Sequence, residues 1–518
     1  MFLFLFSTSF WIKAAQLILS LSILVMVHEF GHYFFARLFK VRVEKFYLFF
    51  NPNFSLVRLK KINGKWQIKW LAPNVEPSMV LTDTRDDKGN PLYRPMTQAE
   101  LQALPDDDWR KYPDNTEWGV GWVPFGGYCS MAGMVDETQS AQNLSSEMQE
   151  WEFRSKKAWQ RFLIIIGGVL VNFITALVIF CGITFHWGTA DLPLKNATEG
   201  LYFSDLLLQE GFQQQDKIIS IDDQTPTNVA DILQWMIIEG KRNVQVLRGE
   251  DTILLTMSEK LGNKYLTFQN DFDKKEREKA RNDNTYQKKR YVLVSEFFPF
   301  VVDSVLTGGV AEQAGLQKAD KIIAINEVQT LSYYEVTNQL QAHPCENITI
   351  TYLRNGDTIV SEKVFLGDQG LLSVFAKNKY EFCKIEPKKY TFFEAIPVGM
   401  KQGVDLLKSY VKQFRLVFSK EGAQSLGGFG AIGNMFGAIW DWYSFWYMTA
   451  FLSIILAFMN IIPIPALDGG YIFFILIEMI TGKKPSDKFL EKANTVGFFI
   501  LLALVVFANL NDILKIFM

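Results

Sequence analysis

Histidine is scarce in this chain of 518 residues, with only four in all, and cysteine is equally rare. The cysteines, Cys129, Cys181, Cys345 and Cys383, are scattered without a CxxC pair, so neither a cysteine zinc site nor a disulfide framework is indicated. Cys345 and Cys383 can meet only if their segment is extracytoplasmic and the geometry permits a bridge. An excess of one charge is missing too: the formal net charge is −2 and no basic stripe stands out, so no nucleic-acid partner is expected. The composition of an all-membrane protein is also absent, because mean hydropathy is only slightly positive. A few spanning helices with large water-soluble insertions produce such an average.

Four stretches are nonetheless apolar enough to cross a bilayer, which takes about 20 residues. They run from about Ala14 to Phe35, from Phe162 to Phe185, from Phe445 to Ile480 and from Val496 to Leu510. The third is long enough to be broken or tilted. The apolar start of the chain lacks a positively charged n-region and is too long for a signal peptide, so it reads as a retained helix. Arg37, Lys40, Arg42 and Lys45 follow the first span, Arg154, Lys156, Lys157 and Arg161 precede the second, and Lys483, Lys484, Lys488 and Lys492 follow the third. All three clusters fall on one face if the N-terminus starts outside, and positive charge marks that face as cytoplasmic. The segment between spans two and three then lies on the far side.

Two of the four histidines sit in one motif, His28-Glu29-Phe30-Gly31-His32, inside the first span. A spacing of four puts both imidazoles on one helix face, where they can bind one Zn²⁺, with Glu29 on the neighbouring turn to take a proton from water. Three ionisable groups in an apolar span are expensive without a function. A catalytic zinc takes a third protein ligand. The candidate is Asp468, which follows Asn460, Pro463 and Pro465 and precedes Gly469-Gly470 in the third span. Prolines interrupt the helix there, and broken backbone at membrane depth is tolerated only in protein or beside a watery cavity. The plainer reading is a kinked helix whose aspartate caps the second half.

HExGH in one span together with NxxPxPxLDG in a later one resembles the site-2 protease family of intramembrane zinc metalloproteases, in its bacterial RseP-like branch. The resemblance implies Zn²⁺ held by His28, His32 and Asp468, with Glu29 as catalytic base. It implies substrates that are single-pass membrane proteins, such as anti-sigma factors or remnant signal peptides, first trimmed by an upstream site-1 protease in regulated intramembrane proteolysis and stress response. It also implies a multi-pass protein of the bacterial inner membrane. Asn172, Asn460, Pro463 and Pro465 are candidates to bind the unwound substrate strand or its oxyanion.

Residues 54–70 alternate around Asn63-Gly64, the signature of a β-hairpin. This resembles the membrane-associated hairpin that such proteases place beside the active site to offer an edge to an extended substrate. The stretch from Pro73 to Trp118 is polar and has no assigned role. Pro124-Phe125-Gly126-Gly127-Tyr128-Cys129 resembles the family's PLGGYV stretch, with Phe125 and Cys129 as departures. In the second span Gly167-Gly168 allow close helix packing, and Asn172 follows them without the family's proline.

Gly211-Phe-Gln-Gln-Gln-Asp216-Lys-Ile-Ile-Ser-Ile221 recurs as Gly315-Leu-Gln-Lys-Ala-Asp320-Lys-Ile-Ile-Ala-Ile325. This internal repeat resembles the PDZ domain, which binds peptide ends or strands by edge addition. Ile396, Met400, Val404, Leu407, Val411, Phe414 and Phe418 recur at helical spacing and predict an amphipathic helix on the outer membrane surface. Ser425–Gly433 then resembles a family loop, with alanine in place of proline.

The expected architecture is therefore a polytopic α-helical membrane protein with four transmembrane helices, two inserted extracytoplasmic PDZ domains and a membrane-associated β-hairpin. Its expected divisions are helix 1 at 1–36, a cytoplasmic β region with a polar insertion at 37–158 and helix 2 at 159–186. There follow PDZ domains at 192–262 and 296–368 around a charged linker at 263–295, an amphipathic helix at 391–420, helix 3 at 445–480 and helix 4 at 494–512. The expected partners are single-pass substrates, the lipid bilayer and the site-1 protease. Two other readings fit parts of the sequence: a membrane-anchored PDZ scaffold without catalysis, and a metal-dependent transporter.

Overall fold

Among the described residues four helices are long and apolar enough to span a membrane: Thr8–Leu38, Ala158–Trp187, Trp442–Ile461 and Lys488–Leu514. The computed structural model describes residues 8–74, 79–85, 91–124, 126–134, 148–282, 289–414, 417, 419, 422 and 427–517. Phe125, Phe418, Ser425 and parts of the polar insertion and charged run therefore lie outside the described residues. By internal packing the chain divides into a membrane unit and a second unit centred on Gly188–Lys389.

In the membrane unit, helices α1 (Thr8–Leu38) and α2 (Ala158–Trp187) pack closely along their length. Gly31 and Gly167 make this possible: a Cβ at Gly31 would strike the Gly167 carbonyl and lie 2.8 Å from Gly168 Cα. Helix α2 is the centre of the bundle, burying Ile164, Gly168, Asn172, Ala176, Phe180 and Ile183. Helix α3 (Phe392–Phe414) follows the second unit. It buries a small-residue stripe, Ala395, Gly399 and Gly403, while Met400 and Val411 on the expected apolar face stay exposed. Gly399 lies against the Cys181 backbone and Gly403 against Leu177, both on α2, so the helix docks by backbone approach.

A short helix, α4 (Phe429–Met435), precedes α5 (Trp442–Ile461), α6 (Asp468–Thr481) and α7 (Asp487–Phe517). The expected third span is thus two helices separated by Ile462–Leu467. Pro463 and Pro465 lack the N–H a continuous helix requires, and Ala466 adopts φ 75°. The tight return of the chain needs glycine at Gly470, where a Cβ would lie 2.7 Å from Pro465 Cα.

After α1 the chain forms β1 (Val43–Leu48), β2 (Phe54–Ile62), β3 (Lys65–Pro73), β4 (Glu117–Val120) and β5 (Tyr128–Met131) in one sheet of order β3-β2-β4-β1-β5. The predicted hairpin is β2–β3, closed by Asn63 (φ 49°) and Gly64 (φ 79°), and two consecutive positive φ values give the tight turn that asparagine–glycine favours. Trp66, Ile68 and Trp70 on β3 are exposed, an apolar face suited to lipid. Beneath the sheet Arg58 donates to both Glu117 oxygens (3.1 and 3.0 Å) and Tyr47 donates to Glu117 Oε1 at 2.5 Å. Burial and the Glu117 charge hold the Tyr47 hydroxyl protonated far above the usual tyrosine range.

The second unit contains the repeat as two similar bodies. The first has antiparallel strands Lys217–Ile221, Asn243–Arg248 and Asp251–Thr256, and the second has Lys321–Ile325, Ile350–Arg354 and Asp357–Val360 in the same order. In each, the repeated aspartate is buried and clamped by an arginine from the next strand. Asp216 takes Arg248 Nε at 2.9 Å and Nη2 at 2.7 Å, and Asp320 takes Arg354 at the same two distances. Each arginine also donates to a repeat glycine carbonyl, Gly211 or Gly315. The repeat therefore encodes a buried aspartate anchor for the neighbouring strand as well as a strand.

The bodies reach beyond the expected limits. Val294–Glu296 pairs with Leu201–Phe203, and Val374–Ala376 pairs with Val302–Val305. The charged run expected as a linker carries a helix, Leu261–Asn282. Its Leu261, Tyr265 and Phe268 pack on the first core and Phe272 meets Tyr291, a spacing of three and four that charge density concealed. Cys345 is exposed, Cys383 is buried, and both are free thiols.

Candidate metal centre

The apolar span α1 brings His28 and His32 to the face packed on α2, and the break before α6 brings Asp468 to the same point. His28 Nε2 lies 3.2 Å from His32 Nε2. Asp468 Oδ2 lies 3.2 Å from His28 Nε2 and 3.4 Å from His32 Nε2. Ligands arranged tetrahedrally at about 2.0–2.1 Å from a zinc ion stand roughly 3.3–3.4 Å apart. The three atoms match that triangle. Asp468 Oδ2 is buried and has no hydrogen-bond partner, despite its closeness to both rings, because the atoms converge on a common point instead of aligning donor to acceptor. Among the described residues these three form the one such group of His, Cys, Asp or Glu side chains. The donor set fits Zn²⁺.

Asp468 does not cap α6. It is the first residue of that helix, whose N-cap is Leu467, and no side-chain capping bond is made there. Glu29 is half-buried on α1. Gly127, entering β5, backs onto this region: a Cβ there would lie 2.8 Å from Val25 Cγ1 and 3.6 Å from Glu29 Cγ. The sheet edge beside Glu29 is thus β5, whereas the hairpin strand β3 forms the opposite edge.

Asn172 is wholly buried, with its amide 3.3 Å from His28 Nδ1. Asn460 is half-buried in the last turn of α5. Pro463 and Pro465 lie in the broken segment, which α7 holds: Ala466 N–H donates to Asn494 Oδ1 at 3.4 Å, and a Cβ at Gly497 would lie 2.8 Å from Pro465 Cβ.

The sequence marks Gly168 for helix packing but not for its place against the histidines, and it gives no sign of the Ile164 carbonyl. His32 Nδ1 lies 2.9 Å from Ile164 O, and a Cβ at Gly168 would sit 2.5 Å from His32 Nε2 and 2.7 Å from His28 Cε1. Ile164, Gly168 and Asn172 recur at intervals of four, so one face of α2 cradles both imidazoles. Gly168→Ala is expected to displace the rings and to reduce bound zinc together with activity, read by metal content of the purified protein. Full zinc occupancy in that variant would show that the cradle has slack.

The apolar helices and the convergent His-His-Asp triangle define a membrane protein with a candidate metal centre. The sequence matches Peptidase family M50 over residues 16–73 and 108–504, and the chain belongs to that family. It is 24% identical to the "Regulator of sigma E protease" of Haemophilus influenzae over 98% of this chain and 100% of that one. It is 25% identical to a protein of Vibrio cholerae named as a zinc metalloprotease, over 96% and 98% of the two chains. The protein is a zinc metalloprotease of the membrane.

Proposed function

We propose that His28, His32 and Asp468 hold the zinc ion and that Glu29 is the general base, in hydrolysis of peptide bonds within the membrane-spanning segments of single-pass proteins. The convergence of three ligand atoms from two helices of an apolar bundle carries this reading. When bound, zinc makes water nucleophilic near neutral pH and polarises the scissile carbonyl. Glu29 takes the proton from the attacking water and returns it to the departing amine. A transmembrane helix hides its peptide carbonyls, so the substrate must unwind before attack. The backbone at Gly127, which lies beside Glu29, suits contact with an extended strand, with Asn460 and the Pro463–Pro465 segment as further backbone contacts. That backbone, rather than the hairpin's edge, is what we assign to substrate.

The two bodies of the second unit are read as PDZ domains lying outside the cytoplasm, with the N-terminus of the chain outside and the metal centre toward the cytoplasmic face of the bacterial inner membrane. The positive clusters flanking the spans support that orientation, and the duplicated Asp–Arg clamp supports the duplication of one module. The domains would admit substrates already trimmed by a site-1 protease. Anti-sigma factors suit this role, in keeping with the name of the Haemophilus relative, as do remnant signal peptides. Zinc proteolysis sets aside the scaffold without catalysis. A transporter reading gives no reason for the duplicated module.

The test is co-reconstitution in liposomes with a single-pass substrate, either trimmed or bearing a folded outer domain. The trimmed form is expected to be cut inside its apolar segment, as located by mass spectrometry, and the untrimmed form to survive. Cleavage confined to water-exposed residues would defeat the intramembrane reading, and equal cleavage of both forms would defeat the filter.

A further inference from the structure

We propose that Asn172 is a positioning residue for the metal centre, whose amide oxygen accepts a hydrogen bond from His28 Nδ1–H and fixes the tautomer in which Nε2 binds zinc. The inference rests on the ligand assignment above and turns Asn172 from substrate toward the metal.

His28 Nε2 is the atom that faces His32 and Asp468. A neutral imidazole has one N–H, so a ring that gives its Nε2 lone pair to a metal carries its proton on Nδ1 and needs an acceptor there. His32 meets this condition with a backbone carbonyl, Ile164 O, at 2.9 Å from its Nδ1. For His28 the polar group at Nδ1, among the described residues, is the Asn172 amide, at 3.3 Å through Nδ2. With Nδ2 in that position two N–H groups would oppose each other once His28 Nε2 binds metal. A half-turn of the amide places Oδ1 there instead and converts the clash into a hydrogen bond. The half-turn gives up nothing, because Asn172 Oδ1 is buried without a partner.

The surroundings keep the residue in place. Asn172 is 0% exposed, and Ser453 Oγ on α5 donates to its backbone carbonyl at 2.7 Å. Gly168, one turn earlier, leaves room for the His28 ring to reach α2. Two turns of α2 therefore supply one acceptor to each histidine, from the main chain for His32 and from a side chain for His28. Only the second can be altered by substitution.

The chemistry predicts an unusual ranking. Asp is an acceptor without N–H, so Asn172→Asp retains the function if Oδ1 is the working atom and loses it if Nδ2 is. Asn172→Leu has similar volume and no acceptor. The experiment measures Zn²⁺ affinity of the full-length protein in detergent by competition with a chromophoric chelator, and the visible spectrum of the Co²⁺-substituted form. Asn172→Leu is expected to bind zinc about 10–100-fold more weakly, the range for loss of an outer partner of a ligand histidine, with an altered Co²⁺ spectrum. Asn172→Asp is expected to stay within about threefold of wild type, below the range for losing that partner. Wild-type affinity in Asn172→Leu, or an Asn172→Asp protein that folds yet loses zinc, overturns the proposal. Where Asn172→Leu fails to fold, the Asp variant decides alone. His28→Ala serves as the control. Zinc retained there would sink the ligand assignment itself, whereas zinc lost there but retained in Asn172→Leu would sink only the role of Asn172.

Discussion

Glu29→Gln is expected to abolish most cleavage while leaving zinc bound. Gln matches Glu in shape and cannot accept a proton, so the variant removes general base catalysis, a contribution of about 10²–10⁴-fold. Glu29 is not among the three atoms that converge at the centre, so its loss should not release the metal. Initial rates on a trimmed single-pass substrate and zinc content of the same preparation are the two measurements. Cleavage equal to wild type would refute the role of Glu29. Loss of zinc along with activity would instead make Glu29 a ligand.

Asp468→Asn should have the opposite signature, with activity and zinc lost together. The carboxylate is the only anion of the triangle, and its Oδ2 makes no hydrogen bond that would be broken by the change. An amide oxygen is a neutral and weaker ligand in a buried place where the dication most needs a negative partner. Zinc affinity is expected to fall by more than the roughly 10–100-fold typical of outer-shell partners, as read by chelator competition. The fold should hold, because Asp468 caps nothing and the chain break before it is set by Pro463, Pro465 and the contact of Gly497 with that segment. Stoichiometric, tightly held zinc in Asp468→Asn would remove Asp468 from the site. Together the two variants separate proton transfer from metal binding at a single centre.

The metal motif was legible because HEFGH joins two signals in one place, helical spacing of imidazoles and charge at membrane depth. Asp468 was legible for a related reason: prolines and glycines crowd around a carboxylate inside an apolar run. The hairpin could be read residue by residue, since Asn63-Gly64 imposes its own backbone conformation. What failed is equally instructive. The helix Leu261–Asn282 was hidden because its apolar stripe is thin and its charges are many, so its composition masks its period. The apolar face expected of α3 was the less buried one, because contact with α2 runs through Ala395, Gly399 and Gly403, whose small size makes no hydrophobic signal.

The sequence by itself determined where the apolar stretches lie, the residues of the candidate metal centre, the hairpin turn and the existence of a duplicated module. Each of these is written in local spacing, which the chain carries before it folds. Tertiary structure alone decided which atoms meet. It set His28, His32 and Asp468 within 3.4 Å of one another, put β5 rather than the hairpin beside Glu29, and turned Asn172 toward His28. These are contacts between segments far apart in sequence, set by close backbone approaches at Gly31, Gly167 and Gly168 between two helices and at Gly127, Gly470 and Gly497 elsewhere, and no periodicity within any one element records those distances.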